Sequence, residues 1–233
     1  MNAVITGASR GIGKAVAQIF AVHGYDLFLC SKNEAHMLQT VEELQTRFPN
    51  ISIDAKAFDL GKKKEAQLFG EWVVANTDTI DILVNNAGTF IQGNISDEPD
   101  GALEQMLEVN LHSAYHTTRT LLPKMMAERS GHIFTICSIA SLAAYPNGGS
   151  YSISKYALLG FTKNLRQELM PYNIKVTAII PGAVYTDSWK ESGVDESRIM
   201  EAEDIATIIY TASRLSPQAT VEEIIVRPQL GDL

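Results

Sequence analysis

The sequence predicts an α/β fold: one doubly wound sheet of about seven mostly parallel strands with helices on both faces. Seven short apolar runs alternate with longer stretches of helical periodicity. The runs are apolar almost throughout, as strands covered on both faces are. No Pro-, Ser- or Gly-rich linker divides the 233 residues. Residues 1–233 are therefore expected to form a single domain, within the length that one α/β unit can occupy.

The elements follow in order. NAVIT (2–6) is the first strand, and TGASRGIG leads from it into a helix. DLFLC (26–30), ISIDAKAF (51–58) and DILVNN (81–86) are the second, third and fourth strands. HIFTICS (132–138), IKVTAII (174–180) and EEIIV (222–226) are the fifth, sixth and seventh. Each gap is long enough for the helical crossover that parallel neighbours need. In the helix before the fifth strand, the Leu121-Leu122-Pro123 step predicts a bend near its end.

Composition narrows the function. A net charge of -8 opposes an extended phosphate-binding surface for nucleic acid, while leaving room for a local anion pocket. No apolar run is long enough for a membrane span, and no charged-then-apolar leader precedes the first strand. The expectation is a cytoplasmic protein with neither nucleic acid nor membrane as partner. Cys30 and Cys137 lie in strand-like apolar runs and read as buried thiols. His112 and His116 are four apart but have no third ligand at matching spacing, so no metal is expected. Glu42 and Glu43 read as a solvated face.

The glycine-rich turn carries the first chemistry. Between a buried strand and a helix, Gly7 permits a tight turn, Gly11 lets backbone approach a pyrophosphate, and Gly13 lets the helix pack closely on the sheet. Ser9, Arg10 and Ile12 complete the loop, and the helix amino terminus then faces an anion. This is a Rossmann-type arrangement, although the spacing is Gly-x-x-x-Gly-x-Gly rather than G-x-G-x-x-G.

Thr6-Gly7-x-x-x-Gly11-x-Gly13 resembles the cofactor loop of the short-chain dehydrogenases/reductases, and further motifs follow in the family's order. Asn85-Asn86-Ala87-Gly88 after the fourth strand is similar to its NNAG motif, which braces the sheet and the cofactor floor. Asn110 lies in a helical stretch where the family has a catalytic asparagine. Ser138 ends the fifth strand, and Tyr151 and Lys155 follow at the family's Tyr-x-x-x-Lys spacing. Pro181-Gly182-Ala183-Val184-Tyr185-Thr186 resembles its P-G-x-V-x-T turn. The resemblance runs from residue 3 to about residue 190. It implies catalysis by Asn110, Ser138, Tyr151 and Lys155, with the glycine loop, Asn86, Ala87, Gly88, Pro181, Gly182, Val184 and Thr186 at the cofactor.

Residues four apart on a helix share a face, so Tyr151 and Lys155 can share one site. A phenol with a pKa near about 10 exchanges its proton poorly at neutral pH. A nearby ammonium, with the positive charge of an oxidised nicotinamide, favours the phenolate and is expected to move that value toward the working range. Tyr151 is then the general acid for a carbonyl oxygen as hydride arrives, or the base in reverse, while Ser138 fixes the same oxygen. The resemblance implies that Lys155 also holds the nicotinamide ribose and that Asn110 supports a proton-refilling water chain.

Cofactor preference rests on the end of the second strand. An acidic residue there holds the ribose 2′-hydroxyl of NAD, whereas this chain has Ser31 followed by Lys32, with Arg10 in the loop. Two cations without a competing carboxylate predict NADP(H). Asp59 and Leu60, after the third strand, resemble the family's adenine-side pair.

The expected function is NADP-dependent hydride transfer between the nicotinamide and a small-molecule carbonyl or secondary alcohol. Two alternatives are 3-oxoacyl reduction on acyl carrier protein and a non-catalytic dinucleotide sensor. Carrier-linked relatives tend to carry two docking arginines, and here His132 and Tyr172 align with them, with Lys124 and Arg129 close by. A short substrate lid is expected at about 186–200, with Tyr145 and Trp189 as apolar walls. The resemblance implies a homodimer or homotetramer, and IIVRPQLGDL replaces the V-D-G-G ending that contributes to tetramers.

Overall fold

All seven apolar runs fold as strands: β1 Asn2–Thr6, β2 Asp26–Ser31, β3 Ile53–Ala57, β4 Ile82–Asn85, β5 His132–Ile136, β6 Lys175–Pro181 and β7 Glu223–Val226. The computed structural model describes residues 1–186 and 193–232. The strands form one parallel sheet in the order β3-β2-β1-β4-β5-β6-β7. Chain direction across the sheet reverses between β1 and β4, and that reversal opens a crevice at the carboxyl ends of the strands.

The strands read as unbroken apolar runs because alternate residues enter two cores. Ala3, Ile5, Leu27 and Leu29 point to one side, against α1 (Gly11–Val22), α2 (Glu34–Arg47) and α7 (Ala202–Ser213). Val4, Phe28 and Cys30 point to the other, which α3 (Lys63–Asn76) and α5 (Ser113–Glu128) cover together with the later part of α6 (Gly149–Leu169). The edge strands β3 and β7 lose the pattern and expose alternate side chains.

Helix starts differ in ways that bear on the site. The Asn33 side chain accepts from the His36 N–H at 2.9 Å and caps α2, and Glu201 and Asp204 form a reciprocal capping box at α7. No side chain caps α1. Its first amides stay available at the crevice. A short helix, α4 (Ala102–Leu107), runs into a π-helical turn at Glu108–His112 before α5. Pro123 stands inside α5, which nevertheless continues to Glu128. Among the described residues no helix is long and apolar enough to cross a membrane.

His132 begins β5 inside the sheet, 4% exposed. Its Nε2 lies 2.7 Å from the Thr177 hydroxyl, which donates to the Val221 carbonyl at 2.6 Å. Since the Thr177 proton is committed, His132 Nε2 is the donor, and Nδ1 is left without a partner among the described residues. Burial, with the Lys175 charge added, pushes the imidazole down to about 3. The folded protein thus holds a neutral histidine that the unfolded chain protonates near about 6.5. Stability from this group is full above about 6.5 and falls as the pH drops toward about 3. His132→Leu should flatten that decline by about 1 kcal/mol per pH unit, read by urea unfolding between about pH 6 and pH 4. Parallel curves for the two proteins would refute this.

Candidate active site

The site assembles where β1 and β4 end. Gly7 adopts φ +65°, in the left-handed region. The helix that follows presses against it, since a Cβ on Gly13 would stand 2.3 Å from the Gly7 carbonyl oxygen. Asn86 holds the junction by donating its side-chain amide to the carbonyls of Thr6 at 2.9 Å and Gly7 at 3.1 Å. In return the Thr6 hydroxyl accepts from the Asn86 N–H at 2.9 Å and the Ala87 N–H at 3.0 Å. Asn85 is turned away, and its amide donates to the Thr118 hydroxyl at 2.8 Å.

The crevice above this junction has a volume of about 730 Å³. Gly7, Ser9, Arg10, Gly11 and Ile12 line one wall, and Ser31, Lys32, Asp59 and Leu60 close one end. Asn86, Ala87 and Gly88 also line the crevice, as do Pro181, Gly182 and Val184, and Thr186 packs against Gly11. Ser138, Tyr151 and Lys155 stand on the wall beyond. Gly13 lies behind the lining as a packing residue. An elongated cleft with uncapped helix amides and cations at one end fits a phosphorylated dinucleotide.

At that end the structure corrects one expectation. A carboxylate does stand beside Lys32, but it comes from the turn after β3: Asp59 pairs with Lys32 Nζ at 3.0 Å and with Lys62 Nζ at 3.6 Å. Burial pushes Asp59 up, and the Lys32 hydrogen bond with the Lys32 and Lys62 charges outweighs it, so the carboxyl sits below its ordinary range. Ser31 donates to or accepts from Ser9 at 2.7 Å, which ties β2 to the glycine loop.

Ser138 departs from its expected place. β5 ends at Ile136, and Ser138 caps a short 3-10 turn, Ile139–Ser141, accepting from the Ala140 N–H at 3.2 Å. Ser138 lies close enough to the Tyr151 hydroxyl to favour its ionised form, and both residues line the same crevice. Lys155, buried one turn along α6, donates to the Ile136 carbonyl at 2.8 Å, and its Nζ lies 5.8 Å from the Tyr151 ring centroid. Burial pushes this ammonium down to about 8.

The expected lowering of the tyrosine by Lys155 does not hold for the protein alone. Burial pushes the phenol up, and the opposing pull comes from Ser138. The lysine's ammonium donates to the Ile136 carbonyl and lies over the Tyr151 ring.

Asn110 does not line the crevice. It is fully buried in the π-helical turn, accepts from the Thr89 N–H at 2.7 Å, and donates to the Thr89 carbonyl at 3.0 Å and the Ser154 hydroxyl at 2.9 Å. Lys155 Nζ and Asn110 Oδ1 approach Gly88 from the same side. Residues missed from sequence also line the cleft, among them Thr89, Phe90, Gln105 and Val109. Phe90 packs edge-on against Tyr151 with centroids 4.9 Å apart; its place two residues after Gly88 was the available signal. Tyr145 does not line the cleft, and its ring lies over Gly148. Trp189 and most of the 186–192 stretch lie outside the described residues. On either side of it, Tyr185 and Met200 pair backbone to backbone at 2.8 Å.

Cys30 and Cys137 are buried free thiols, and Cys137 is pushed up to about 11 by burial. His112 and His116 have ring centroids 6.1 Å apart, and no metal-holding cluster occurs among the described residues. Glu42 is exposed, whereas Glu43 pairs with Lys14.

The family model of the short chain dehydrogenases matches residues 1–197, so the chain belongs to that family. It is 32% identical over 237 residues to a sepiapterin reductase of Chlorobaculum tepidum, covering 99% of this chain and 97% of the relative. It also resembles a metagenomic short-chain oxidoreductase solved with NADP (TM-score 0.85, 28% identity, 98% and 97% of the two chains). A β-ketoacyl-[ACP] reductase of Bacteroides thetaiotaomicron is similar to the same degree (TM-score 0.85, 27% identity, 98% and 97%).

Gly13→Ala should cost about 1–3 kcal/mol of stability and weaken dinucleotide binding, because its Cβ meets backbone that has no room to yield. Thermal melting with and without NADPH reads both effects. A variant that melts like the wild type and keeps its cofactor-induced shift would contradict the packing described here.

Proposed function

We propose that the protein is an NADP-dependent oxidoreductase that interconverts a small-molecule carbonyl and its secondary alcohol. One observation carries the reading: Ser138, Tyr151 and Lys155 line the same glycine-walled crevice, with Lys155 buried and donating to the Ile136 carbonyl at 2.8 Å. The similarity to an NADP complex and to a reductase supports it.

NADP(H) would be held by the α1 amides and Ser9, Arg10, Ser31 and Lys32 at the phosphates, Asp59 and Leu60 at the adenine, and Gly182, Val184 and Thr186 at the nicotinamide; bound, it supplies the hydride. Ser138 and Tyr151 bind the carbonyl oxygen. With its phenol raised by burial, Tyr151 is protonated at neutral pH and gives that proton to the oxygen as carbon is reduced. In the reverse direction it takes the proton back, and positive charge in the cleft then favours the phenolate. Lys155, its ammonium pushed down to about 8 by burial, holds the Ile136 carbonyl beside the ring. Asn110 keeps Thr89 and Ser154 in register beside Lys155, at the start of the route by which the proton returns.

The carrier-linked reading has the Bacteroides enzyme in its favour. Against it, the residues aligned with docking arginines are His132, inside the sheet, and Tyr172, packed on the core. Lys124 and Arg129 are turned to backbone carbonyls.

Steady NADPH oxidation over a panel of ketones, diketones and 3-oxoacyl thioesters tests the reading. Turnover only with carrier-linked thioesters would favour the carrier alternative, and cofactor binding without any turnover would leave a sensor. Tyr151→Phe should lose at least about 100-fold in turnover while binding NADPH normally; undiminished activity would remove Tyr151 from its role. Lys32→Asp should move cofactor selectivity toward NADH, and an unchanged NADPH/NADH ratio would exclude Lys32 as the reader of the 2′-phosphate.

A further inference from the structure

The helix that bears Tyr151 and Lys155 begins without a cap of its own. Its N-cap is Gly148, which has no side chain to offer, and its first turn contains no acidic residue. The first turn of a helix leaves amides without intrahelical partners, at the positive end of the dipole. Here the first intrahelical bond is from the Ser152 N–H to the Gly148 carbonyl at 2.7 Å. The group that answers this lies 52 residues away. Glu98 Oε2 accepts from the Ser150 N–H at 3.1 Å, and Glu98 Oε1 accepts from the Ser150 hydroxyl. Ser150 is 1% exposed, so its hydroxyl is not left to water.

The contact is built from both sides. Gly93 and Gly148 form a bridge, the Gly93 N–H donates to the Asn147 carbonyl at 3.1 Å, and Asn94 Oδ1 accepts from the Asn147 N–H at 3.1 Å. A Cβ on Gly149 would stand 2.6 Å from the Gly93 carbonyl oxygen and 2.8 Å from Glu98 Oε2. One on Gly93 would stand 2.7 Å from Glu98 Cβ. A tight turn returns Glu98 to this spot: the amides of Asp97 and Glu98 both donate to the Asn94 carbonyl, at 3.0 Å and 2.8 Å. The same loop carries Phe90 against the Tyr151 ring. The tyrosine is thus gripped at its ring and at the residue before it by one segment.

We propose that Glu98 is a positioning residue for Tyr151: its carboxylate caps α6 from the loop after β4 and sets where the phenol meets the substrate oxygen. The proposal rests on Tyr151 being the proton donor. Among the described residues Glu98 is absent from the crevice lining, and its carboxylate meets α6 at Ser150.

The test compares wild type with Glu98→Ala, Glu98→Asp and Glu98→Gln. Glu98→Ala and Glu98→Asp, which remove or shorten the acceptor, should lower kcat by about 10-fold or more with the KM for NADPH within about 2-fold. Glu98→Gln keeps an oxygen for the Ser150 N–H and should stay within about 3-fold of wild type. A wild-type kcat in Glu98→Ala, or a Glu98→Gln as impaired as Glu98→Asp, would overturn the proposal. Should Glu98→Ala not fold, the Asp and Gln pair decides alone. Hydrogen exchange at residues 149–152 of the cofactor-free protein reads the brace without turnover, and Glu98→Ala and Glu98→Asp should both exchange faster than wild type there. If the wild type reduces no carbonyl, the proposed function fails, and unchanged exchange would sink the brace separately.

Discussion

The molecule is organised around the contact between the backbone at Gly7 and the start of α1. With no Cβ at Gly13, the helix amides come down onto the end of β1, and Asn86 locks the neighbouring strand to the same carbonyls. A side chain at either place would lift the helix and separate β1 from β4. The crevice, its floor and its anion-facing amides all follow from that closeness, because the sheet reverses direction at this point and leaves no helix above it.

Electrostatics divide the cleft. The end near β2 gathers Lys32, Lys62 and Asp59 in a solvent-facing network, where charge remains ionised and adjustable. At the other end Lys155 is buried and Tyr151 half-buried. There Lys155 and Tyr151 are both pressed toward their neutral forms by burial. A phenol kept protonated and an ammonium held near the edge of its charge suit a site where a proton moves when a substrate oxygen arrives. β5 stops at Ile136, and Ser138, still extended, caps the 3-10 turn that follows.

The layers around the cleft explain how a loop-rich wall stays in place. Asn110 in its π-helical turn holds both backbone groups of Thr89, and Glu98 holds the start of α6. Phe90 lies between these two anchors. Rigid strands thus present the cofactor side, while hydrogen bonds from buried or half-buried side chains organise the substrate side.

Periodicity and spacing determined a good deal by themselves. Seven strands, their parallel order of succession and the glycine turn were legible because local apolar runs and obligatory backbone conformations depend on neighbours along the chain. Tyr151 and Lys155 were legible as a pair because helical geometry places residues four apart on one face. Tertiary structure alone decided the rest. That Asp59 meets Lys32, that His132 is interior, that Glu98 caps a helix 52 residues on, and that burial rather than Lys155 governs the phenol are relations between segments. Such relations turn on which surfaces exclude water, and a one-dimensional pattern contains no record of that.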